Sequence, residues 1–155
     1  MRVWGMRRQA GAVEHVDRIV TRAEFPDVLP DAHYVCVHVP LTEATRGLLG
    51  EREFARTRPD AFLINTSRGG VVDETALREA LLDHRLAGAH LDVFEQEPLP
   101  SDNPFWDAPN VVVTPHAGDT VSDWERRFAD FFADNLERWL AGAPLLNEVD
   151  VQAGY

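Results

Sequence analysis

The chain has 155 residues, enough for one domain with a sizeable core, and 45% of them are hydrophobic. Its 26 acidic side chains outnumber 15 basic ones, all arginine, for a formal charge of -11. Such a surface repels nucleic acid and anionic membranes, which excludes both as expected partners.

In chain order, Arg2-Val3-Trp4-Gly5-Met6 predicts a short strand, followed by Arg7-Arg8 and a loop over Gln9-Ala10-Gly11-Ala12. Val16 to Val20 predicts a second strand. Thr21 is placed to cap a helical turn over Arg22 to Leu29, which Pro30-Asp31-Ala32 should break. Tyr34 to Val39 predicts a strand closed by Pro40. Within it Cys36, the one cysteine, cannot close an internal disulfide and is expected to be a small buried hydrophobe. Glu51 to Arg56 predicts a short helix. Ala61 to Ile64 is an apolar run of strand length, and Asp73 to His84 has helical periodicity with an acidic start. Ala89 to Phe94 predicts a strand, Glu95 to Ala108 a loop, and Val111 to Val113 a last strand stopped by Thr114-Pro115. A long amphipathic helix is predicted from Asp119 to about Leu140, with Val121, Trp124, Phe128, Phe131, Phe132, Leu136, Trp139 and Leu140 on its apolar side. Strands alternating with helices predict an α/β fold with a parallel sheet and right-handed crossovers. No apolar run reaches the roughly 18 residues of a membrane span, and no secretory leader is visible, so a soluble cytoplasmic protein is expected. A lysine-free acidic chain suits a high-salt cytoplasm, although GC-rich coding would also exchange lysine for arginine.

Three predicted strand ends carry groups that would converge on one rim. Arg68 follows the Ala61 strand in Asn65-Thr66-Ser67-Arg68-Gly69-Gly70, Glu97 follows the Ala89 strand, and His116 follows the Val111 strand. The carboxyl ends of strands are where open α/β sheets bind ligands. A guanidinium offers a fork of donors that matches a carboxylate. An imidazole near a carboxylate, which favours its cation, suits proton transfer close to neutral pH. Together they suit reduction of a 2-keto acid, with a proton given to the carbonyl oxygen. Each alone has a plainer reading: Arg68 capping a loop carbonyl, His116 bonded to backbone, Glu97 an exposed loop charge, with Glu95 an alternative partner for the imidazole. His15, His33, His38, His84 and His90 show no partner pattern. No metal-ligand spacing stands out.

Four segments resemble one family in order: His38-Val39-Pro40-Leu41-Thr42 with Thr45-Arg46-Gly47-Leu48-Leu49, Ala61 to Asp73, Leu86 to Leu99, and Asn110 to Gly118. The resemblance is to the D-isomer-specific 2-hydroxyacid dehydrogenases, which include phosphoglycerate, glycerate and formate dehydrogenases. It implies an NAD(P)-dependent oxidoreductase acting on a small 2-hydroxy or 2-keto acid, of the phosphoglycerate or glyoxylate reductase kind. By resemblance, Arg68 would bind the substrate carboxylate and carbonyl, His116 would be the general acid/base, and Glu97 its partner. Asp92 would hold the nicotinamide carboxamide side, and Thr66 and Ser67 would approach the nicotinamide ribose region. Val39 and Pro40 would line the cofactor, and Gly118 would let it pass close to the backbone. The resemblance also implies a homodimer.

The chain departs from the family pattern in two places. Arg7-Arg8 stands where many members have an acidic residue for the ribose hydroxyls; a guanidinium there attracts a 2′-phosphate, which favours NADPH over NADH. The family's Gly-x-Gly-x-x-Gly turn, its first βα unit and most of the substrate domain do not occur in these residues. The expected architecture is therefore a partial doubly wound, Rossmann-type parallel sheet lacking the first βα unit, with a long C-terminal helix. Residues 1–118 would form a partial NAD(P)-binding domain and 119–155 the helix and tail. Met1 then reads as an internal methionine or the edge of a truncation. The lost strand would have sat between the strands at Arg2 and Tyr34, leaving unpaired edges and an uncovered apolar face. Such a chain alone is expected to bind cofactor poorly and turn over little substrate. The competing readings are a non-enzymatic nicotinamide-sensing or corepressor-like relative, and a decayed fragment; retention of Arg68, Glu97 and His116 together weighs against the first.

Overall fold

The computed structural model describes residues 1–8, 11–108, 110–118 and 120–152. Backbone contacts group the chain into two units, Met1–Pro115 and His116–Tyr155. The expected Gln9-Ala10 part of the first loop and the expected helix start at Asp119 lie outside the described residues.

In the first unit every described strand pairs in parallel, as the alternation of strand and helix requires. β1 (Trp4–Met6) pairs with β2 (Arg18–Val20) in a two-stranded sheet. β3 (Tyr34–Val37), β4 (Phe62–Asn65), β5 (Gly88–Leu91) and β6 (Val111–Val113) form a second sheet in that order. Among the described residues no strand pairs with the second edge of β1 or with the outer edge of β3. The strands at Arg2 and Tyr34 thus lie in separate sheets.

One face of the larger sheet is packed. Val35, Val37, Leu63 and Leu91 join Phe54, Leu77, Ala80 and Leu81 in the core. Side chains alternate along a strand, so Tyr34 and Cys36 share the other face with Phe62 and Val112. That face is open: Tyr34 is 62% exposed, Phe62 43% and Val112 60%. Cys36 is exposed as well, contrary to the expectation of a buried cysteine. A β-branched, aromatic-rich strand of a parallel sheet is ordinarily covered on both faces; here one of them is bare, and Cys36 faces that way.

The helices follow their sequence signals with shifted ends. α1 (Phe25–Val28) runs into a 3-10 turn over Leu29–Asp31. The α-helix ends ahead of Pro30, as expected; Pro30 sits in the first turn of the 3-10 segment, where no N–H is needed, and Ala32 is extended. Thr21 does organise the approach: its hydroxyl accepts from the Glu24 N–H at 3.3 Å while the Glu24 carboxylate accepts from the Thr21 N–H at 2.8 Å. α2 spans Glu51–Phe54. α3 (Glu74–Leu82) is capped by Asp73, whose carboxylate accepts from the Ala76 N–H at 3.0 Å. It stops short of the expected His84, which takes a positive φ of 54°. The N–H groups of Arg85 and His84 close the helix on Ala80 and Leu81 carbonyls at 2.8 and 3.2 Å. The expected loop from Glu95 to Ala108 contains a 3-10 turn at Pro104–Asp107, started by the Asn103 side chain and anchored by Phe105, 3% exposed.

The second unit is dominated by α4 (Trp124–Leu140). It starts later than the sequence pattern suggests. Val121 precedes it in a turn, and Asp123 at the helix start takes the Arg127 Nε at 2.9 Å. No α4 residue is buried. Asn135 accepts from the Leu146 N–H at 2.7 Å, tying the tail to the helix. Among the described residues no helix is long and apolar enough to cross a membrane.

Candidate active site

The register of the larger sheet lines up Val37, Asn65, Leu91 and Val113 as neighbours. The residues that follow them, His38, Thr66, Asp92 and Thr114, therefore form one row along the carboxyl edge. Of the expected site residues in the first unit, Thr66, Ser67, Arg68, Asp92 and Glu97 sit on or just beyond this edge, on the segments leaving β4 and β5. Val39 and Pro40 continue from β3 and are half-buried. Arg7 follows β1 in the smaller sheet and is exposed.

The Arg68 turn is built from within by Asn65, only 2% exposed. Its side-chain oxygen accepts from the Ser67 N–H at 3.1 Å and the Ser67 hydroxyl at 2.8 Å, and its amide nitrogen donates to the Arg68 carbonyl at 3.4 Å. An Asn bonding its own backbone two residues on is a turn-maker. Sequence reasoning did not assign Asn65 a role, although Asn at the head of Thr-Ser-Arg-Gly-Gly carries that turn signal. Gly70 completes the turn with a φ of 76°, a conformation L side chains rarely adopt. From outside, Gly47 and Leu49 N–H groups bond the Gly70 and Val71 carbonyls at 2.8 and 3.3 Å. Arg68 itself is exposed, and one guanidinium nitrogen donates to the Ser67 carbonyl at 2.6 Å.

Gly69 brings the Arg68 turn onto the Glu97 loop. A Cβ at position 69 would overlap the Phe94 carbonyl and crowd the Glu95 nitrogen, so the two backbones touch there. The loop is folded by Glu97, whose Oε1 accepts from the Phe94 N–H at 2.9 Å, and by Glu74, whose Oε1 accepts from the Glu95 N–H at 2.6 Å. Burial pushes the Glu74 carboxyl above the ordinary carboxylate range; the Glu95 N–H opposes this, and the nearby charges of Glu95, Asp73 and Glu97 add to it. The same stretch is tied to the sheet where the Asp92 N–H donates to the Asn65 carbonyl at 3.0 Å.

Asp92 is 3% exposed. Its Oδ1 accepts from the Thr114 hydroxyl, and Thr114 Oγ1 in turn meets His90 Nε2 at 3.1 Å. Thr66 Oγ1 meets His38 Nδ1 at 3.3 Å. Sequence reasoning left both histidines without partners; the pairings arise between neighbouring strands and have no signature along the chain. In the second unit His116 is exposed, with a φ of 51°, the left-handed region that costs a non-glycine residue energy and clusters at functional positions. Gly118 is also exposed. Among the described residues no group of His, Cys, Asp and Glu is arranged to hold a metal.

A parallel sheet whose carboxyl edge gathers hydroxyls, a buried carboxylate and an arginine turn defines a nucleotide-binding α/β protein by its construction. Comparison with known proteins narrows this. Residues 1–118 match the model of the D-isomer specific 2-hydroxyacid dehydrogenase NAD binding domain, and the chain belongs to that family. It is 47% identical over 109 residues to a glyoxylate reductase from Korarchaeum cryptofilum, an overlap of 70% of this chain and 33% of that protein. Its fold superposes with a TM-score of 0.90 on a D-isomer specific 2-hydroxyacid dehydrogenase from Xanthobacter autotrophicus Py2 in complex with NADPH, at 41% identity, covering 99% of this chain and 62% of that one. A TM-score of 0.90 also relates it to an NADPH-dependent glyoxylate/hydroxypyruvate reductase from Sinorhizobium meliloti, at 35% identity, covering 99% of this chain and 49% of that one. The chain thus spans a third to less than two thirds of the length of these proteins.

Proposed function

We propose that these residues form the cofactor side of an NAD(P)-dependent oxidoreductase that reduces a short 2-keto acid, of the glyoxylate or hydroxypyruvate kind. The observation that carries this reading is the backbone contact at Gly69, which sets the Arg68 turn beside the loop held by Glu97, one strand from the buried Asp92. The donor set fits a nicotinamide: a buried carboxylate accepts from a carboxamide, and the Thr66 hydroxyl suits a ribose, whereas the buried Ser67 hydroxyl is given to Asn65 and its place beside the ribose rests on the family resemblance. By the family resemblance Val39 and Pro40 line the cofactor and Gly118 lets it pass close to the backbone. When bound, the reduced nicotinamide supplies the hydride. Arg68 pairs with the keto acid's carboxylate and polarises its carbonyl. By the family resemblance His116 is the general acid/base, giving the carbonyl oxygen a proton and taking it back in the reverse direction, with Glu97 as its partner. In this reading the intact protein is a homodimer, supported by the family resemblance alone.

NADPH is the favoured cofactor. Arg7 is an exposed guanidinium just after β1, where a carboxylate would repel a 2′-phosphate. Both structural relatives are in complex with NADPH or NADP. The test is steady-state reduction of glyoxylate and hydroxypyruvate by the full-length gene product with each cofactor. A lower KM for NADPH is expected, and Arg7→Asp should reverse the order. A clear NADH preference in the unaltered protein defeats the cofactor assignment, and no turnover of either acid with either cofactor defeats the reductase assignment.

A further inference from the structure

The hydrogen bonds around Asp92 have a direction. A threonine hydroxyl has one hydrogen, and that of Thr114 is given to Asp92 Oδ1. Thr114 Oγ1 can then meet His90 Nε2, 3.1 Å away, only as an acceptor. The proton of His90 is therefore on Nε2, and a chain of donors runs from His90 through Thr114 to Asp92. The backbone fixes all three members. His90 and Asp92 lie two residues apart on and just past β5, so their side chains share a face. Thr114 follows β6 and is held by its own N–H on the Leu91 carbonyl at 3.0 Å. Asp92 is 3% exposed, so its end of the chain is withdrawn from competing water, while His90 is half-buried on the sheet's open face.

We infer that His90 is a positioning residue for cofactor recognition: through Thr114 it fixes the Asp92 carboxylate in the rotamer that accepts from the nicotinamide carboxamide. The inference rests on the proposed role of Asp92. It assigns a function to a histidine whose sequence context offers none. Without the His90 donor, Thr114 Oγ1 keeps only its bond to Asp92 and the hydroxyl rotor is freer, so Asp92 is held less well.

The experiment measures dissociation constants of the full-length gene product for NADPH and for its 3-acetylpyridine analogue, in which a methyl ketone replaces the carboxamide and has no N–H to give. Unaltered protein should bind the carboxamide form more tightly, and Asp92→Asn should erase that preference. His90→Leu should weaken NADPH about fivefold, the worth of one ordinary hydrogen bond, and leave the analogue unchanged. His90→Gln, whose amide nitrogen can replace Nε2 as donor, should restore the affinity, which a fold lost through mutation would not do. Nitrogen-15 spectra of the ring should report the Nε2–H tautomer, and Thr114→Val should release it to a mixture. Equal losses for cofactor and analogue in His90→Leu, or no loss for either, overturn the inference while leaving Asp92's role intact. A protein that never discriminates between the two ligands overturns the Asp92 reading itself.

Discussion

Replacing Asn65 by alanine tests how the arginine turn is held. Asn65 is 2% exposed, and its side chain satisfies the Ser67 N–H at 3.1 Å and the Ser67 hydroxyl at 2.8 Å, both buried. Alanine removes the acceptor and brings nothing in its place. Each buried donor left unsatisfied costs about 1–3 kcal/mol. The hydroxyl can rotate towards another acceptor, whereas the N–H is fixed, so the expected loss is about 2–4 kcal/mol rather than the full sum. Truncation also leaves a small void beside the core. A loss of that size is a large part of a domain's usual stability of roughly 5–15 kcal/mol. Urea unfolding followed by far-UV circular dichroism reads it directly as a lower midpoint with an unchanged slope. Asn65→Asp keeps the acceptor but buries a carboxyl and loses the 3.4 Å bond to the Arg68 carbonyl, so it should recover part of the loss in acid, where the carboxyl is protonated, and less at neutral pH. If Asn65→Ala costs less than about 0.5 kcal/mol, within the range of an ordinary surface change, the turn is held by something else.

Other substitutions separate backbone, core and charge. Gly69→Ala forces a methyl into the Phe94 carbonyl, and the strand-end loops must part; a drop in midpoint larger than that of Asn65→Ala, with Glu95 and Phe94 amides losing hydrogen-exchange protection, is the expected result. Leu77→Ala, at a fully buried α3 position, should cost about 2–5 kcal/mol in the same urea assay. For Glu74 the sign follows from its raised pKa. The folded state holds the proton more tightly, so stability falls as pH rises from the ordinary value of 4.5 through the raised one. Glu74→Gln keeps the acceptor for the Glu95 N–H and removes the charge. It should match the unaltered protein in acid and exceed it at neutral pH by less than about 1 kcal/mol, given its partial exposure; equal pH profiles for the two proteins would contradict this.

The arginine turn was legible in the sequence because glycine is informative there. Gly69 and Gly70 are needed for different reasons, close approach and positive φ, and a strand and a helix signal flank them. The parallel strands were legible from their apolar runs and the helices between them. Strand ends were not: Val39 and Phe94 extend the apolar pattern of their strands, but β3 and β5 end at Val37 and Leu91, where pairing with the neighbour stops. The exposure of Cys36 was hidden for a related reason, since an apolar strand reads the same whether one face or two are covered. The Asn65 bonds lie within three residues and had a local signature. The His90 contact depends on strand register and had none.

Arg68 is the group proposed to grip the keto acid. The most direct measurement is kcat/KM for glyoxylate or hydroxypyruvate, with NADPH, in the full-length gene product and its Arg68→Ala variant. Loss of a guanidinium paired with a carboxylate in a closed site is worth several kcal/mol, so a fall of about 100-fold or more is predicted, with cofactor affinity little changed. A variant that reduces the acid as well as the unaltered protein does would contradict the account.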